Sequence, residues 1–297
     1  MDHDQNFKNL ILDYPREALD FFAHEESEEI VPDVRILPVR QEQLKDRLGE
    51  RFRELDVPLL IEWPDGRREA LLFVLEEESD PRRFSIHRLA HYCLDLAQLL
   101  DTEQVIPVVI FLRGGDYALA LNLGSKRHTY LSFYYLICDL STLPFEQFKE
   151  SDNVVARLNL PNMKYAADSR VEVYAQAVHG LLSLEPSWEK QAKYMDFIDI
   201  YANLDHNELE IYRNQYPEEA NKMSSFAERY REEGMQKGMQ KGMQKGEVAV
   251  LLRQMERKFG GQLTETDRRL VESADAETLL KWSDKILSAN SIEEILH

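Results

Sequence analysis

Two apolar runs on either side of a turn signal constrain the fold of this chain more than any other feature. Residues 56–63 (DVPLLIEW) and 69–78 (EALLFVLEEE) are strand-like, and the PDGR sequence at 64–67 is a strong turn signal. The second run is apolar at every position from 71 to 75, which is typical of a strand buried on both faces. The two runs therefore predict a β-hairpin inside a sheet.

The segments around this hairpin indicate a mixed α/β domain. Residues 4–25 place apolar side chains at helical spacing with a break at Pro15, and residues 85–100 repeat that periodicity. Further strands are predicted at residues 105–112 (VIPVVIFL), 117–123 and 128–139. Because hairpin, helix and strand follow one another in this order, we expect an α/β fold for the first half of the chain.

The second half of the chain has mostly helical periodicity, with helices predicted at residues 169–184, 188–204 and 208–216. Near the end, Thr264 precedes Asp267 and Ser291 precedes Glu294 by three residues, the spacing of a capping box. We expect four segments: an α/β domain over 1–145, a helical extension over 146–230, a Gly-x-x-x repeat helix or linker over 231–250, and a small helical domain over 251–297.

Residues 234–246 form an internal repeat, G-MQK-G-MQK-G-MQK-G, with a period of four. Each glycine costs a helix about 1 kcal/mol relative to alanine, so a helix here needs compensation. Close approach of a second helix along the glycines would supply it; otherwise the segment is a weak, partly frayed linker. The stripe of Lys237, Lys241 and Lys245 is either solvated or in contact with phosphate or membrane. We expect a long exposed helix, with homo-oligomerisation through the C-terminal helices as a hypothesis.

Charge and cysteine content exclude several classes of function. With 36 basic and 54 acidic residues the formal net charge is -18, so the chain cannot bind nucleic acid through its overall field. Binding to phosphates would need a local basic patch or bound cations. Two cysteines, Cys93 and Cys138, support neither a disulfide framework nor a four-thiolate metal site, and their apolar surroundings predict burial.

The N-terminal sequence is charged where a signal peptide would have an apolar run. The most apolar stretches, residues 105–112 and 131–140, are too short to cross a bilayer. We therefore expect a soluble cytoplasmic protein with no membrane partner.

An acidic sequence directly continues the apolar strand. Alternation places Glu76 and Glu78 on one face and Glu77 on the other. A three-residue turn at 65–67 would set Asp56 opposite Glu76, whereas a loop of two or four residues would shift this pairing by one position. Carboxylates that close repel each other, and a divalent ion such as Mg²⁺ or Mn²⁺ removes the conflict. Such an ion would polarise a phosphodiester and generate hydroxide. The alternative is that these acids lie past the sheet edge in solvent.

An arginine cluster and a pair of histidines lie near this acidic sequence along the chain. Arginines cluster around the predicted hairpin and the helix after it, at positions Arg67, Arg68, Arg82, Arg83 and Arg88. Such donors would form a phosphate-binding rim, or alternatively surface salt bridges to the abundant glutamates. His87 and His91 have the spacing of a two-histidine metal site, but no glutamate follows the first, so the zinc-hydrolase pattern is absent. The alternative is a pair of boundary histidines beside packed aliphatic residues.

Several of these segments together resemble the recombination-promoting nuclease (Rpn) and transposase-like group of the PD-(D/E)XK nuclease superfamily. The matching segments, DHDQNFKNLILDYPREALDFF, LDVPLL, LLFVLEEES followed by HRLAHY, and VIPVVIFL, cover residues 2–115. The tail (LLRQMERKFG and LLKWSDKILSANSIEEIL) is similar to a small helical domain of unknown function that often follows in these proteins. The resemblance implies a PD-(D/E)XK, restriction-endonuclease-like α/β core with a mixed sheet flanked by helices, followed by an all-α C-terminal region.

The resemblance also implies site residues. Asp56 and Glu76 match the hairpin acids of the family, which are catalytic and bind the metal ion. The family motif has Lys or Gln two residues after the glutamate, where this chain has Glu78. A carboxylate cannot supply the positive charge of that lysine. Glu78 is therefore an extra metal ligand, a general base, or the mark of a site that has lost catalysis.

Further matches lie in the flanking helices. Arg88 and Tyr92 match an arginine and a tyrosine of the helix after the hairpin, where the arginine contacts phosphate. Asp4 and Lys8 match an N-terminal D-x-x-F-K pattern, and Glu17 matches the acid of the first helix. The function implied is a divalent-metal-dependent DNA endonuclease associated with recombination or mobile elements, using Mg²⁺ or Mn²⁺. The alternative is a catalytically inactive nuclease-fold protein that serves as an interaction or oligomerisation scaffold.

Overall fold

The computed structural model describes residues 3–28, 30–31, 33–39, 57–76, 84–115 and 117–296. The chain divides into two compact units, Met1–Lys222 and Met223–His297. The first unit contains the strands and most of the helices, and the second is helical.

Three short helices begin the first unit: α1 (His3–Asp13), α2 (Pro15–Phe22) and α3 (His24–Ser27). Pro15 occupies the first turn of α2, where the missing N–H would have had no partner within the helix. It therefore ends α1 and starts α2, as the sequence predicts. Apolar side chains of both helices, including Phe7, Leu10 and Leu19, are buried.

In the part of the chain that the structure describes, the strands are β1 (Arg35–Pro38), β2 (Val57–Glu62), β3 (Arg68–Glu76), β4 (Val105–Phe111), β5 (Ala120–Gly124), β6 (Thr129–Tyr134) and β7 (Leu136–Asp139). Five of them form one sheet in the order β1-β2-β3-β4-β7. Antiparallel pairing joins β1 to β2 and β2 to β3, whereas β3, β4 and β7 are parallel. The sheet is therefore mixed, and the expectation of an α/β unit with a mixed sheet flanked by helices is confirmed.

The loop between β2 and β3 differs by one residue from the prediction. Gly66 N–H donates to the Trp63 carbonyl, and Trp63 N–H donates to the Arg67 carbonyl, both at 3.0 Å. Gly66 has a φ of 88°, in the left-handed region that tight hairpin loops require and that glycine adopts most easily. The loop is therefore residues 64–66 rather than 65–67.

This loop determines the register of the hairpin. A register with Asp56 opposite Glu76 would require Val57 opposite Leu75. Val57 is instead the partner of Phe73, so the register on which the pairing of the two acids depended is not the one that forms. Asp56 itself lies outside the described residues.

Helix α4 (Ile86–Leu100) connects β3 to β4, since two parallel strands need a crossover. The Ser85 side chain caps this helix by accepting the Arg88 N–H at 3.3 Å. Apolar side chains of α4, among them Leu89 and Leu96, pack with Leu72 and Val74 of β3 in one core cluster. The opposite face of β3 contacts α2, where the Phe22 and Phe73 rings lie 6.2 Å apart. The sheet is thus covered on both faces, as expected from its apolar strands.

The predicted strand at 128–139 is two strands that belong to different sheets. β6 pairs with β5 to form a separate two-stranded sheet, while β7 pairs with β4 in the main sheet. Tyr135 lies between β6 and β7 and is buried, and its hydroxyl donates to the Ala118 carbonyl at 2.7 Å. The prediction of a single strand is therefore wrong.

A layer of helices completes the first unit: α5 (Phe145–Phe148), α6 (Val154–Leu158), α7 (Arg170–Leu184), α8 (Trp188–Ala202) and α9 (His206–Gln215). The three helices predicted for this region are confirmed as α7, α8 and α9. Polar contacts join the layer to the end of α1 and to the residue after it: the Tyr194 hydroxyl donates to Asp13 Oδ2 at 2.7 Å, and Tyr14 donates to Glu185 Oε2 at 2.5 Å. Burial and the neighbouring carboxylates raise the pKa of both tyrosines, which therefore remain protonated.

The second unit contains the later part of α10 (Pro217–Phe259), then α11 (Glu265–Ser273), α12 (Ala276–Lys285) and α13 (Glu293–Leu296). Its own core includes Leu251, Met255, Leu279 and Trp282. None of the described helices combines the length and the apolar character needed to cross a membrane.

The predicted capping box at the start of α11 is confirmed, because Thr264 and Asp267 each accept the backbone N–H of the other. At the start of α13 only half of the box forms. Glu294 N–H donates to the Ser291 hydroxyl at 3.3 Å, whereas the Glu294 carboxylate accepts from Asn290 N–H at 2.7 Å.

The glycine repeat lies inside α10, as the long-helix interpretation predicts. A Cβ added at Gly242 or Gly246 would meet no atom within 4 Å. At these two positions, therefore, no second helix of the same chain packs against the glycines.

Candidate functional site

The carboxyl ends of the three parallel strands define the candidate site. Glu76 ends β3 and is the Cα partner of Phe111, which ends β4 and is in turn the partner of Asp139 at the end of β7. In open α/β sheets, ligands bind at this edge of the parallel strands. Of the other predicted site residues, Asp56, Glu78, Arg82 and Arg83 lie outside the described residues. The metal site built from Asp56 and Glu76 therefore stays a prediction.

Helix α4 brings Arg88 to the same edge. The ring of Phe84, just before the helix, packs against Phe111 at 5.6 Å between centroids, which locates the start of α4 beside the end of β4. Arg88 is in the first turn and is half-buried. Tyr92, one turn later, is buried in the core cluster around α4. Of this predicted pair, Arg88 is the more exposed residue.

Aromatic rings pack together at the end of β4. The Phe111 and Tyr117 rings are stacked, with 4.0 Å between centroids and 8° between planes. Phe84 also contacts Tyr135 at 5.3 Å. Burial, together with the neighbouring Asp139 carboxylate, raises the pKa of Tyr117, so this hydroxyl is a hydrogen-bond donor at neutral pH.

Asp139 is a buried carboxylate at this edge that sequence reasoning missed. Its Oδ2 accepts from the Tyr117 hydroxyl at 3.1 Å, and its Oδ1 accepts from the Ser141 hydroxyl at 2.7 Å and the Ser141 N–H at 3.1 Å. These bonds fix the start of the short 3₁₀ helix Leu140–Thr142. The signal in the sequence was an aspartate that ends an apolar run two residues before a serine, a pattern typical of an Asx turn.

Beside the end of β4 lies a polar cleft of about 390 Å³. It is lined by Arg113, two residues after the strand, and by Arg170 and Asn203 among others. The Arg170 guanidinium is already engaged: it donates to the Asn203 carbonyl at 2.7 Å and pairs with Glu208 at 3.2 Å. Arg113 is exposed and adds a second guanidinium to the edge where Arg88 lies.

The acid and the lysine predicted in the first two helices lie on the other side of the sheet. Glu17 lines a cleft of about 480 Å³ together with Arg16, Asp20 and Asp152. Its helix, α2, packs against the face of β3 that carries Phe73, opposite the face covered by α4. Lys8 is half-buried on α1, and Asp4 is in the first turn of the same helix. The structure therefore does not bring Glu17 and Arg88 to one face of the sheet.

No group of three His, Cys, Asp or Glu side chains among the described residues is arranged to hold a metal ion. His87 and His91 are both exposed on α4. Both cysteines are buried, as predicted, and burial raises the pKa of each thiol to about 12. At neutral pH neither thiol is an effective nucleophile or metal ligand.

Comparison of the chain with protein-family models, with curated proteins and with solved structures finds no match.

Proposed function

We propose that this chain is a divalent-metal-dependent DNA endonuclease of the Rpn and PD-(D/E)XK type, acting in the cytoplasm. The observation that supports this proposal is the end of β3: a strand buried on both faces finishes at Glu76, at the carboxyl edge of the parallel strands, and the first turn of α4 with Arg88 begins beside that edge. A carboxylate and a guanidinium at one sheet edge are the groups that a cation-assisted cleavage of phosphodiesters requires.

Each residue has a distinct role in this proposal. Asp56 and Glu76 would hold Mg²⁺ or Mn²⁺, since carboxylate oxygens are the ligands that these hard cations prefer. The ion, when bound, polarises the phosphodiester and lowers the pKa of a bound water. Glu78 would accept the proton of that water or provide a further ligand. Arg88, with Arg82 and Arg83, would orient the phosphate through charge-assisted hydrogen bonds.

A plasmid-nicking assay with Mg²⁺ and with Mn²⁺ tests the proposal. We expect nicking by the full chain and a loss of more than about 100-fold in Asp56→Asn and in Glu76→Gln, because removing even a residue that only supports a metal ligand costs about 10–100-fold. Glu103→Gln is a matched control, since Glu103 is exposed and precedes β4 at the opposite edge of the sheet. Cleavage that survives both site substitutions but depends on the metal would refute the assignment.

Glu78→Lys separates two states of such a site. If Glu78 takes part in catalysis, the substitution abolishes nicking. If the site is degenerate because its lysine is missing, the substitution restores the positive charge and increases nicking.

A second candidate function, a non-catalytic oligomerisation scaffold, is favoured by the surface of α10. Met235, Met239 and Met243 are 75%, 66% and 59% exposed at successive repeats of the helix. A row of exposed methionines is typical of an adaptable binding surface. Sedimentation of the full chain and of the triple Met→Gln variant tests this: a scaffold is an oligomer that the variant dissociates. A saturable Mn²⁺ site in calorimetry would count against the scaffold as the whole function.

A further inference from the structure

The β5–β6 hairpin is attached to the first unit only at its base. Leu121 and Phe133, which are Cα partners, belong to the core cluster around α4. From 122 to 132 every side chain is exposed. A two-stranded hairpin is marginally stable alone, so the anchored base must support an outer half that has no cover within the described chain.

The outer half of this hairpin differs in charge from the rest of the molecule. Residues 117–138 contain no Asp or Glu, the longest such run in a chain with 54 acidic residues. At the tip are three consecutive basic side chains, Lys126, Arg127 and His128. No ion pair joins Lys126 or Arg127 to another described residue. The hairpin is thus a local basic element on an acidic protein, which is what binding to phosphates requires here.

The backbone of the tip is closed by its own hydrogen bonds. Ser125 N–H donates to the His128 carbonyl at 2.8 Å, and the Ser125 hydroxyl accepts the N–H groups of Arg127 and His128, each at 3.2 Å. The side chains of the basic residues do not take part in these bonds. They are presented to solvent on a defined turn.

One exposed tyrosine lies next to the basic tip, and a second lies at the other end of β6. Tyr130 is 76% exposed and Tyr134 is 66% exposed, and the Tyr130 ring contacts the His128 ring at 6.2 Å between centroids. The register shifts between Leu123 and Gly124, so Tyr130 is the extra residue of a bulge, a feature that re-aims a side chain. Cations that bind phosphates and aromatic rings on which bases stack are the combination that contacts nucleic acid strands.

The outer face of the hairpin is polar rather than apolar. Ser132 donates to Asn122 Oδ1 across the strands at 2.9 Å, and Tyr134 lies on the same face. Leu123 and Leu131 are partners on the other face, where they continue the pair that anchors the base. A two-stranded ribbon is also narrow enough to enter a major groove about 12 Å wide.

We propose that the β5–β6 hairpin is a DNA-binding ribbon, in which Lys126 and Arg127 bind backbone phosphates and Tyr130 stacks on a base or sugar. The inference rests on the proposed function for its choice of DNA as the nucleic acid. It adds a second contact, far along the chain from the predicted metal ligands, by which an acidic protein holds its substrate.

Fluorescence anisotropy with a labelled duplex and with one of its strands alone tests the proposal. EDTA is present so that binding is measured without cleavage. For the full chain with Lys126→Ala and Arg127→Ala together, we expect binding at least about tenfold weaker. The slope of log K against log salt should fall by about two, one for each lost phosphate contact. Tyr130→Ala should weaken binding at least about fivefold on the strand form whose bases it stacks on.

Arg269→Ala with Lys281→Ala is the matched control, because it removes one arginine and one lysine that are exposed on helices of the second unit. All variants change exposed side chains, so thermal melting should show that each still folds. Affinity and salt slope of the hairpin variant equal to those of the control variant would overturn the inference. So would an absence of DNA binding by the unmodified chain, or a hairpin variant that loses self-association but binds DNA normally.

The two proposals fail in different ways. If DNA binding in EDTA depends on the hairpin but no nicking occurs in Mg²⁺ or Mn²⁺, the nuclease proposal fails and the DNA-binding proposal is supported. If Glu76→Gln abolishes nicking but the hairpin substitutions leave DNA affinity unchanged, the nuclease proposal is supported and the DNA-binding proposal for the hairpin fails.

Discussion

The main sheet and the β5–β6 hairpin consist of similar strands in opposite environments. In the main sheet, β3 is apolar and is covered by α4 on one face and α2 on the other. In the hairpin, the core covers only the base, and the outer half is exposed. The two regions meet at neighbouring residues: Tyr134 is 66% exposed and Tyr135 is 8% exposed. Strand-forming residues therefore do not determine what covers a strand.

The main sheet and the hairpin also differ in charge. The main sheet ends in acidic sequence at Glu76, whereas the hairpin belongs to a run with no acidic residue at all. An acidic edge is suited to a cation and a basic tip to phosphates. If the two proposals hold, the two regions would make complementary contacts with one polyanionic substrate.

The largest contrast should appear in thiol reactivity. Cys138 in β7 has a pKa of about 12 because it is buried, so at pH 8 its thiolate fraction is about a thousandfold below that of a free cysteine. Ser132→Cys places a thiol in exposed β6. We expect the thiol at position 132 to react with a disulfide reagent within seconds, whereas Cys93 and Cys138 should react only when the chain unfolds. Rapid labelling of Cys93 and Cys138 in the native protein would show that the core around the main sheet is accessible to the reagent.

Truncation in the main sheet should have the next largest effect. Phe73 is fully buried in β3 and contacts Phe22 across the sheet face. Phe73→Ala should lower the free energy of unfolding by about 3–5 kcal/mol, because it removes apolar contacts and leaves a cavity. Urea denaturation measures this, and a loss below about 1 kcal/mol would contradict the packing described for β3.

Leu121→Ala probes the base of the hairpin and should cost less, about 2 kcal/mol, because Leu121 lies at the border of the core. We also expect faster hydrogen exchange at amides of β5 and β6 than at those of β4. If Leu121→Ala increased the rate of hydrogen exchange equally in β4 and in β5 and β6, the hairpin and the main sheet would unfold as one unit.

The smallest effect is expected for Tyr134→Ser on the outer face of β6. Because this ring is exposed, the free energy of unfolding should change by no more than about 0.5 kcal/mol. Thermal melting beside the Phe73→Ala variant measures the contrast directly. A loss comparable to that of Phe73→Ala would mean that another molecule covers the hairpin in solution.

Local signals predicted the elements well. Pro15 separates the first two helices, the apolar runs are strands, and Thr264 with Asp267 caps a helix, because each of these features acts within a few residues. The loop of the β2–β3 hairpin was predicted one residue late. Loops at 64–66 and at 65–67 both contain Asp65 and Gly66, and only the hydrogen bonds between the strands select one.

The candidate site was predicted only in part. Its chemistry was visible at Glu76, where charge interrupts a buried strand, and Arg88 followed from the resemblance. Asp139 and Arg113 were not identified, because parallel pairing of β4 with its neighbours brings together residues that are distant in sequence. The ligand set of Asp56, Glu76 and Glu78 stays a prediction.

The amino-acid sequence alone predicted most of the strands and helices, the places where acidic and basic residues concentrate, and the burial of both cysteines. Those properties follow from side-chain chemistry and from the periods of the two secondary structures. The division of residues 128–139 between two sheets emerged only in the fold, since no glycine or proline interrupts that run. Which strands a segment pairs with depends on the competing surfaces available in the folded chain, and a local pattern carries no record of them.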